Sequence, residues 1–401
     1  MKISLVIPTY WTSSNPIVQN KTPDAIYDHP TPLESQSTLP RLLNSLKSTD
    51  IPEESTTITV IIAVTHQALE EKAKEKIKKI LSNYKNCFGI KQFSAATLTK
   101  INCKDQNLAQ LLSLYGYSNV RNIGITVAQI LNSDILVFLD DDVVVNDQKY
   151  FHKAQKYVGE KVGERLLGGI AGYYLNKDGG YHLDVDPKAW WKTGWPKERK
   201  MNEAFNIIES QRRLIETTFA FGGNMVLHWK MFENVPFDPY ISRGEDMDLL
   251  VNTKMLGFKF MLDTKLRVIH LPGETKSRWS EMRQDLYRFL YMRQKMLSRK
   301  DIRDMRCVSI DALKPYPGYF LGSRAVCKFA ASSCLNCLHS VLWENLKSFR
   351  EFMRNICQIP SALRFAREHC LDYFEFQKKW SSYMPKIRDD KGLRHILESS
   401  S

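Results

Sequence analysis

Three consecutive aspartates, Asp140, Asp141 and Asp142, follow the apolar run of "DILVFLDDDVVVND". Adjacent carboxylates repel and resist ionising together unless a cation, ordered donors or water compensates. The triplet therefore reads either as a solvated strand-to-turn junction, where Asp is common, or as a divalent metal site built from hard oxygen ligands. Side chains alternate along an extended chain, so Asp140 and Asp142 fall on one side and Asp141 on the other. The first and third can then act together. A second acidic group stands in "SRGEDMDLLVNTKMLGF", where Ser242 could cap a helix that holds Glu245 and Asp246 in its first turn. Acids there complement a helix dipole in any case. His270 ends the apparent strand "TKLRVIHLPG".

The elements that must position these residues alternate. "KISLVIPT" reads as a strand, "TLPRLLNSLKS" as a helix with Pro40 in its first turn, "TITVIIAV" as a buried strand and "QALEEKAKEKIKKILSNY" as an amphipathic helix. "SNVRNIGITVAQILN" gives another helix and "DILVFL" another buried strand. The pattern predicts an α/β fold, a mainly parallel sheet covered by helices on both faces. Such sheets bind ligands beyond the carboxyl ends of their strands, and both the Asp triplet and the Thr9–Tyr10 junction lie at such ends. Acids there can hold Mg²⁺ or Mn²⁺ beside substrate phosphates, which points to a nucleotide.

At this point the sequence resembles the family 2 glycosyltransferases with a GT-A fold. The resemblance rests on "SLVIPTY", "NVRNIGITVA", "FLDDDVVV", "FGGNMVLHWKMF" and "RGEDMDLLVNTKMLGF", in the family's order. It implies a Rossmann-like mixed sheet and a sugar moved from a nucleotide-sugar donor to an acceptor hydroxyl with Mn²⁺ or Mg²⁺, more in keeping with inversion than retention. Asp142 would bind the metal, with Asp140 on the ribose or on the metal through water. His270 would be a further ligand or a structural residue. Pro8, Thr9, Tyr10, Arg121, Asn122 and Asp141 would line the donor site. Arg121 and Asn122 also open a helix whose free amides favour anions, and Gly124 and Ala128 allow it close to the sheet. Asn224, after Gly222 and Gly223, would line the sugar and acceptor cleft. Asp246 would be the general base, with Glu245 orienting the acceptor and Asp248 the alternative base.

The sequence departs from the family in two places. Ala63, Val64 and Thr65 stand where relatives carry an acidic base-reading turn, so the donor nucleotide stays unnamed. An insertion at about residues 11–38, rich in Pro, Ser, Thr and Asn, enters beside the nucleotide site as a lid or part of the acceptor cleft. A nucleotidyltransferase is the enzymatic alternative, but it would show a Gly-rich basic turn after the first strand, and "IPTYWTSSN" has no glycine. A catalytically silent nucleotide- or glycan-binding protein is the non-enzymatic one.

Residues 1–275 are read as the catalytic domain and 276–401 as a helical region. That region holds 24 Lys and Arg against 13 Asp and Glu, most of the chain's net +13. Such a surface suits a phosphorylated substrate, an anionic membrane or nucleic acid; with a lipid-linked or glycan acceptor in view, peripheral membrane contact is expected and nucleic acid is not. "SRWSEMRQDLYRFLYMRQKMLSRKD" reads as a helix packed on the catalytic domain through Met282, Leu286, Phe289, Leu290 and Met296. The loop "YHLDVDPKAWWKTGWPKERK" could stack on sugar, dip into a membrane interface or pack under itself. The opening "MKISLVIPTY" lacks a signal-peptide pattern, so eight reduced cysteines and a cytoplasmic location are expected. Cys334 and Cys337 are read as small apolar residues rather than zinc ligands. No stretch approaches twenty uncharged apolar residues, so no membrane-spanning helix is expected.

Overall fold

The computed structural model describes residues 1–14, 27, 30–273, 278–299, 302 and 305–399. Numbering the principal elements in chain order, strand β1 (Ile3–Thr12) is buried over almost its whole length, as a continuous apolar run demands of a central strand covered on both faces. Strands β2 (Thr56–Val64) and β4 (Ile135–Leu139) flank it in parallel, and β3 (Ile90–Phe93) continues the parallel set beyond β2. Strand β6 (Asn224–His228) then runs antiparallel between β4 and β5 (Arg165–Leu175), and β7 (Lys259–His270) lies parallel to β5. A short strand, Val143–Val144, closes that edge antiparallel to β7. The sheet is mixed and mainly parallel, as the alternation of elements predicts.

Helices cover both faces. Leu39, Leu42, Leu43 and Leu46 of α1 (Leu39–Leu46) and Ala73, Ile77 and Leu81 of α2 (Glu70–Ser82) join Ile3, Leu5 and Ile7 in one core. On the other face, α3 (Tyr117–Ile130) and α4 (Glu245–Met255) pack with Val6 and Phe138. A Cβ at Gly124 of α3 would lie 2.7 Å from the Phe138 ring and 2.9 Å from Val6, which is the close approach its sequence position suggests.

Helix α5 (Arg278–Ser298) buries Met282, Leu286, Phe289, Leu290 and Met296. The core that begins at Val6 runs on through α5, α6 (Ala325–Trp343), α7 (Leu346–Cys357), α8 (Ile359–His369) and α9 (Asp372–Ile387) to Leu397. The helices after residue 275 thus share the apolar core of the sheet's second face. A buried ion network fastens this join. Lys295 Nζ on α5 lies 2.7 Å from Asp238 Oδ2 and 2.6 Å from Asp248 Oδ1, all three side chains fully buried. Among the described residues α6 alone is long and apolar enough to cross a membrane, by length and composition. Cys334 and Cys337 both lie in α6, one exposed and one buried, and all eight cysteines are free.

Candidate active site

The topology gathers the chemistry at one edge of the sheet. Because β6 enters antiparallel beside β4, with Asn224 opposite Leu139, the turn Gly222–Gly223 meets the carboxyl end of β4 where the triplet begins. Because β7 is parallel to β5, His270 and Tyr174 finish together, and their rings stack at 4.4 Å. The strand Val143–Val144 pairs His270 with Val143, bringing Asp142 alongside.

The three aspartates take three directions. Asp140 Oδ1 accepts from Arg121 Nη2 at 2.7 Å, and its Oδ2 accepts from Tyr174 Oη at 3.3 Å. Asp141 accepts from Thr38 Oγ1 at 2.6 Å. Asp142 Oδ2 lies 3.3 Å from His270 Nε2. A Cβ at Gly223 would fall 2.3 Å from Asp140 Cγ and 2.5 Å from Tyr174 Oη, so only glycine admits this arrangement.

Arg121 joins the two acidic groups. Its guanidinium is buried, bonded to Asp140 and 3.6 Å from Glu245 Oε1 through Nε. Its Nη1 and the nearby buried Tyr10 Oη have no hydrogen-bond partner among the described residues, leaving donors for a polar ligand. Asp246 accepts one backbone N–H on each oxygen, from Gly222 at 3.0 Å and Met247 at 2.7 Å.

Carboxylates outnumber cations here, and the proton affinities record it. Burial and the charge of Asp246 lift the Glu245 carboxyl to about 7, against the pull of Arg121. Burial also raises Asp246, outweighing its two amide bonds. Asp141 rises to about 8, through burial first and then the charge of Asp142. Burial depresses the His270 imidazolium, but its bond to Asp142 and the charges of Asp142 and Asp140 outweigh this and raise its pKa.

Asp142 and His270 converge as a carboxylate and imidazole pair, a donor set suited to Mn²⁺, and the negative surplus would favour a divalent cation. The expected three-ligand set does not form. Asp140 is turned to Arg121, and among the described residues no group of three or more His, Cys, Asp or Glu side chains is arranged to hold a metal.

Other expected site residues are locked into the fold. Asn122 bonds both the N–H and the C=O of Phe237, at 2.8 and 2.9 Å. It also does not open its helix, since α3 begins at Tyr117. Asn224 accepts from Tyr150 Oη at 2.8 Å and donates to the carbonyls of Tyr173 and Leu266. Thr9 is fully buried and donates to Ile61 O at 2.9 Å, and Pro8 is buried beside it in β1. Asp248 is fully buried and held by Lys295 and Asn252, so it is not free to act as the alternative base. Ser242 does not cap α4; Gly244 does, with φ +72°.

Tyr174 and Thr38 escaped the sequence reading. A Tyr-Tyr pair at the end of an apolar run could have flagged Tyr174. Thr38 ends the insertion, half of which lies outside the described residues; Thr31 and Pro32 of it pair with the end of β1.

Fold and site together define an α/β protein with a cluster of acidic side chains at the carboxyl edge of a mixed sheet. No family model and no curated protein matches the chain. Solved structures do. A mannosyltransferase, PcManGT from Pyrobaculum calidifontis, in complex with GDP-Man and Mn²⁺, aligns over 92% of this chain and 87% of its own at 10% identity and a TM-score of 0.48. S. aureus TarS 1-349 in complex with UDP-GlcNAc aligns over 97% and 91% at 12% identity and a TM-score of 0.44. GalNAc-T7 with UDP, GalNAc and Mn²⁺ aligns over 90% and 57% at 14% identity and a TM-score of 0.39. At such identities and TM-scores the functional reading rests on this chain's own residues.

Proposed function

We propose that the protein is a glycosyltransferase that moves a sugar from a nucleotide-sugar donor to the hydroxyl of a glycan, lipid-linked or small-molecule acceptor, with inversion. The observation that carries this reading is the meeting of Asp140 of the triplet and Glu245 of the Glu245–Asp246 pair on one buried arginine, Arg121, at the carboxyl edge of the sheet. Asp142 and His270 would hold Mn²⁺ or Mg²⁺. When bound, the ion supplies charge compensation for the departing diphosphate.

The rest is the work of the chain's own groups. Arg121 Nη1 and Tyr10 Oη offer donors to the nucleotide. Asp246 takes the proton from the acceptor hydroxyl as that oxygen bonds the anomeric carbon, and the bond to the diphosphate breaks with its electron pair leaving on the phosphate oxygen. The two backbone amides on Asp246 fix its carboxylate while lone pairs remain for the proton. Glu245, set beside Arg121, orients the acceptor.

The test is release of nucleoside diphosphate from a panel of nucleotide-sugars with Mn²⁺ or Mg²⁺. Release should be lost in Asp142→Ala, and transfer lost in Asp246→Asn. Undiminished turnover in both variants would refute the assignment.

A further inference from the structure

From Ser332 onward helix α6 is built inside out. The residues it turns toward the protein there are, Cys337 apart, polar: Ser332, Ser333, Asn336 and Ser340 are no more than 1% exposed. The residues it turns outward are apolar: Leu338, Val341, Leu342 and Trp343, joined by Leu346 at the start of α7, are 51 to 68% exposed. Water would favour the opposite arrangement. The inward polar residues are not idle, since Asn336 Nδ2 donates to Trp191 O at 3.1 Å and Ser332 Oγ to the same oxygen at 3.4 Å. These bonds tie α6 to the tryptophan loop, and Trp190 of that loop stands edge-on to Trp343 at 6.1 Å.

We propose that this outward face docks on a lipid bilayer bearing anionic headgroups. The charge around it selects that occupant. Lys347, Arg350 and Arg354 on α7 are exposed beside the patch. Between Ala325 and Arg350 the only carboxylate is Glu344, and it is engaged by Arg278 at 2.9 Å. A second copy seated face to face would set this cationic rim against itself, whereas anionic headgroups complement it. Tryptophans at the border of an apolar face suit the headgroup boundary. The helix lies along the surface rather than through it, because its inner side is bonded to Trp191 and packed on α7. Its exposed large apolar residues, Leu338 to Trp343, run about 8 Å along the helix axis.

The docking surface and the proposed cleft share one loop. It leaves β5 just after Tyr174, whose hydroxyl bonds Asp140, and reaches α6 at Trp190 and Trp191. The docking proposal requires no donor or turnover, so it is tested separately from the transfer reading.

The experiment is flotation of the full chain with phosphatidylcholine vesicles, with and without phosphatidylglycerol. The chain should float with the anionic vesicles, less so at high salt or in Lys347→Ala/Arg350→Ala. Leu338→Glu/Leu342→Glu should weaken binding at least about tenfold while its thermal melt matches the parent. Acyl-brominated lipid should quench the parent's fluorescence, and quench Trp343→Phe less. Failure of the parent to bind, or unchanged binding by the double glutamate variant, would overturn the proposal. So would a dimer in solution that Leu342→Glu dissociates without any vesicle binding by the parent.

Discussion

Replacing Glu245 by glutamine should make the folded chain more stable and the enzyme worse. Burial and the charge of Asp246 hold the Glu245 carboxyl at about 7 rather than 4.5, even with Arg121 3.6 Å away. The folded state therefore binds this proton more tightly than the unfolded state. By linkage, the stability contributed by the protonated form is complete below the unfolded value and is lost as pH rises toward the folded one. At about 1.4 kcal/mol per pH unit, keeping Glu245 ionised above pH 7 costs about 3 kcal/mol. At pH 5 the cost is only about 1 kcal/mol, because pH 5 lies only about half a unit above the unfolded value. Glutamine keeps the shape and removes the titration. For a chain of 401 residues, an unfolding entropy of about 0.8 kcal/mol per kelvin turns 3 kcal/mol into a rise in Tm of about 4 °C. Melts of Glu245→Gln and parent at pH 5 and pH 8, without added metal, measure this. The gain should be several-fold larger at pH 8, with transfer impaired at both. An equal gain at the two pH values, or a loss at pH 8, would refute a strained carboxylate at this position.

Three further outcomes follow from the geometry. Lys295→Met leaves Asp238 and Asp248 buried without their shared cation and should cost about 3–5 kcal/mol, read as a fall in denaturation midpoint. Gly223→Ala drives a methyl into Asp140 and Tyr174; an overpacking cost of about 1–3 kcal/mol should fall mainly on donor affinity, measured by calorimetry. Burial raises Asp246 above its ordinary value, and a base must be ionised. Transfer should therefore rise with pH through that raised value, and Asp246→Asn should be slow with no such limb.

What the sequence discloses about the site follows from how far away each residue's partners lie. The sheet was legible because its strands are short apolar runs whose period and punctuation are local. Strands β3 and β5 were the exceptions: "IKQF" of β3 is only four residues, half of them polar, and "RLLGGIAGYYL" hides its pattern because glycines occupy places where neighbours intrude. A Cβ at Gly169 would sit 2.3 Å from the Phe260 ring, and one at Gly172 2.3 Å from Asn224 Nδ2. Asn122 and Asn224 fall in motif stretches, yet their partners lie 115 residues away for Asn122 and 42 to 74 for Asn224; nothing local marks them as struts instead of ligands.

Asp246 and Asp248 pose the same problem in sharper form. Both stand in the first turn of α4 and look equivalent as bases in sequence. Two residues on a helix are separated by about 200°, so one faces the cleft only if the other faces the protein. Which one does is decided by Lys295, 47 residues beyond Asp248 on another helix, whose ammonium holds both of its oxygens. A helix that buries Asp248 against Lys295 must present Asp246 to Gly222 and Arg121. The C-terminal helices therefore set the rotation of α4, and loosening α5 should misdirect the base without touching it. Lys295→Met should accordingly lower transfer more than donor hydrolysis, since hydrolysis needs no oriented acceptor. An equal fall in both would place the damage in the donor site and break the link between Lys295 and Asp246.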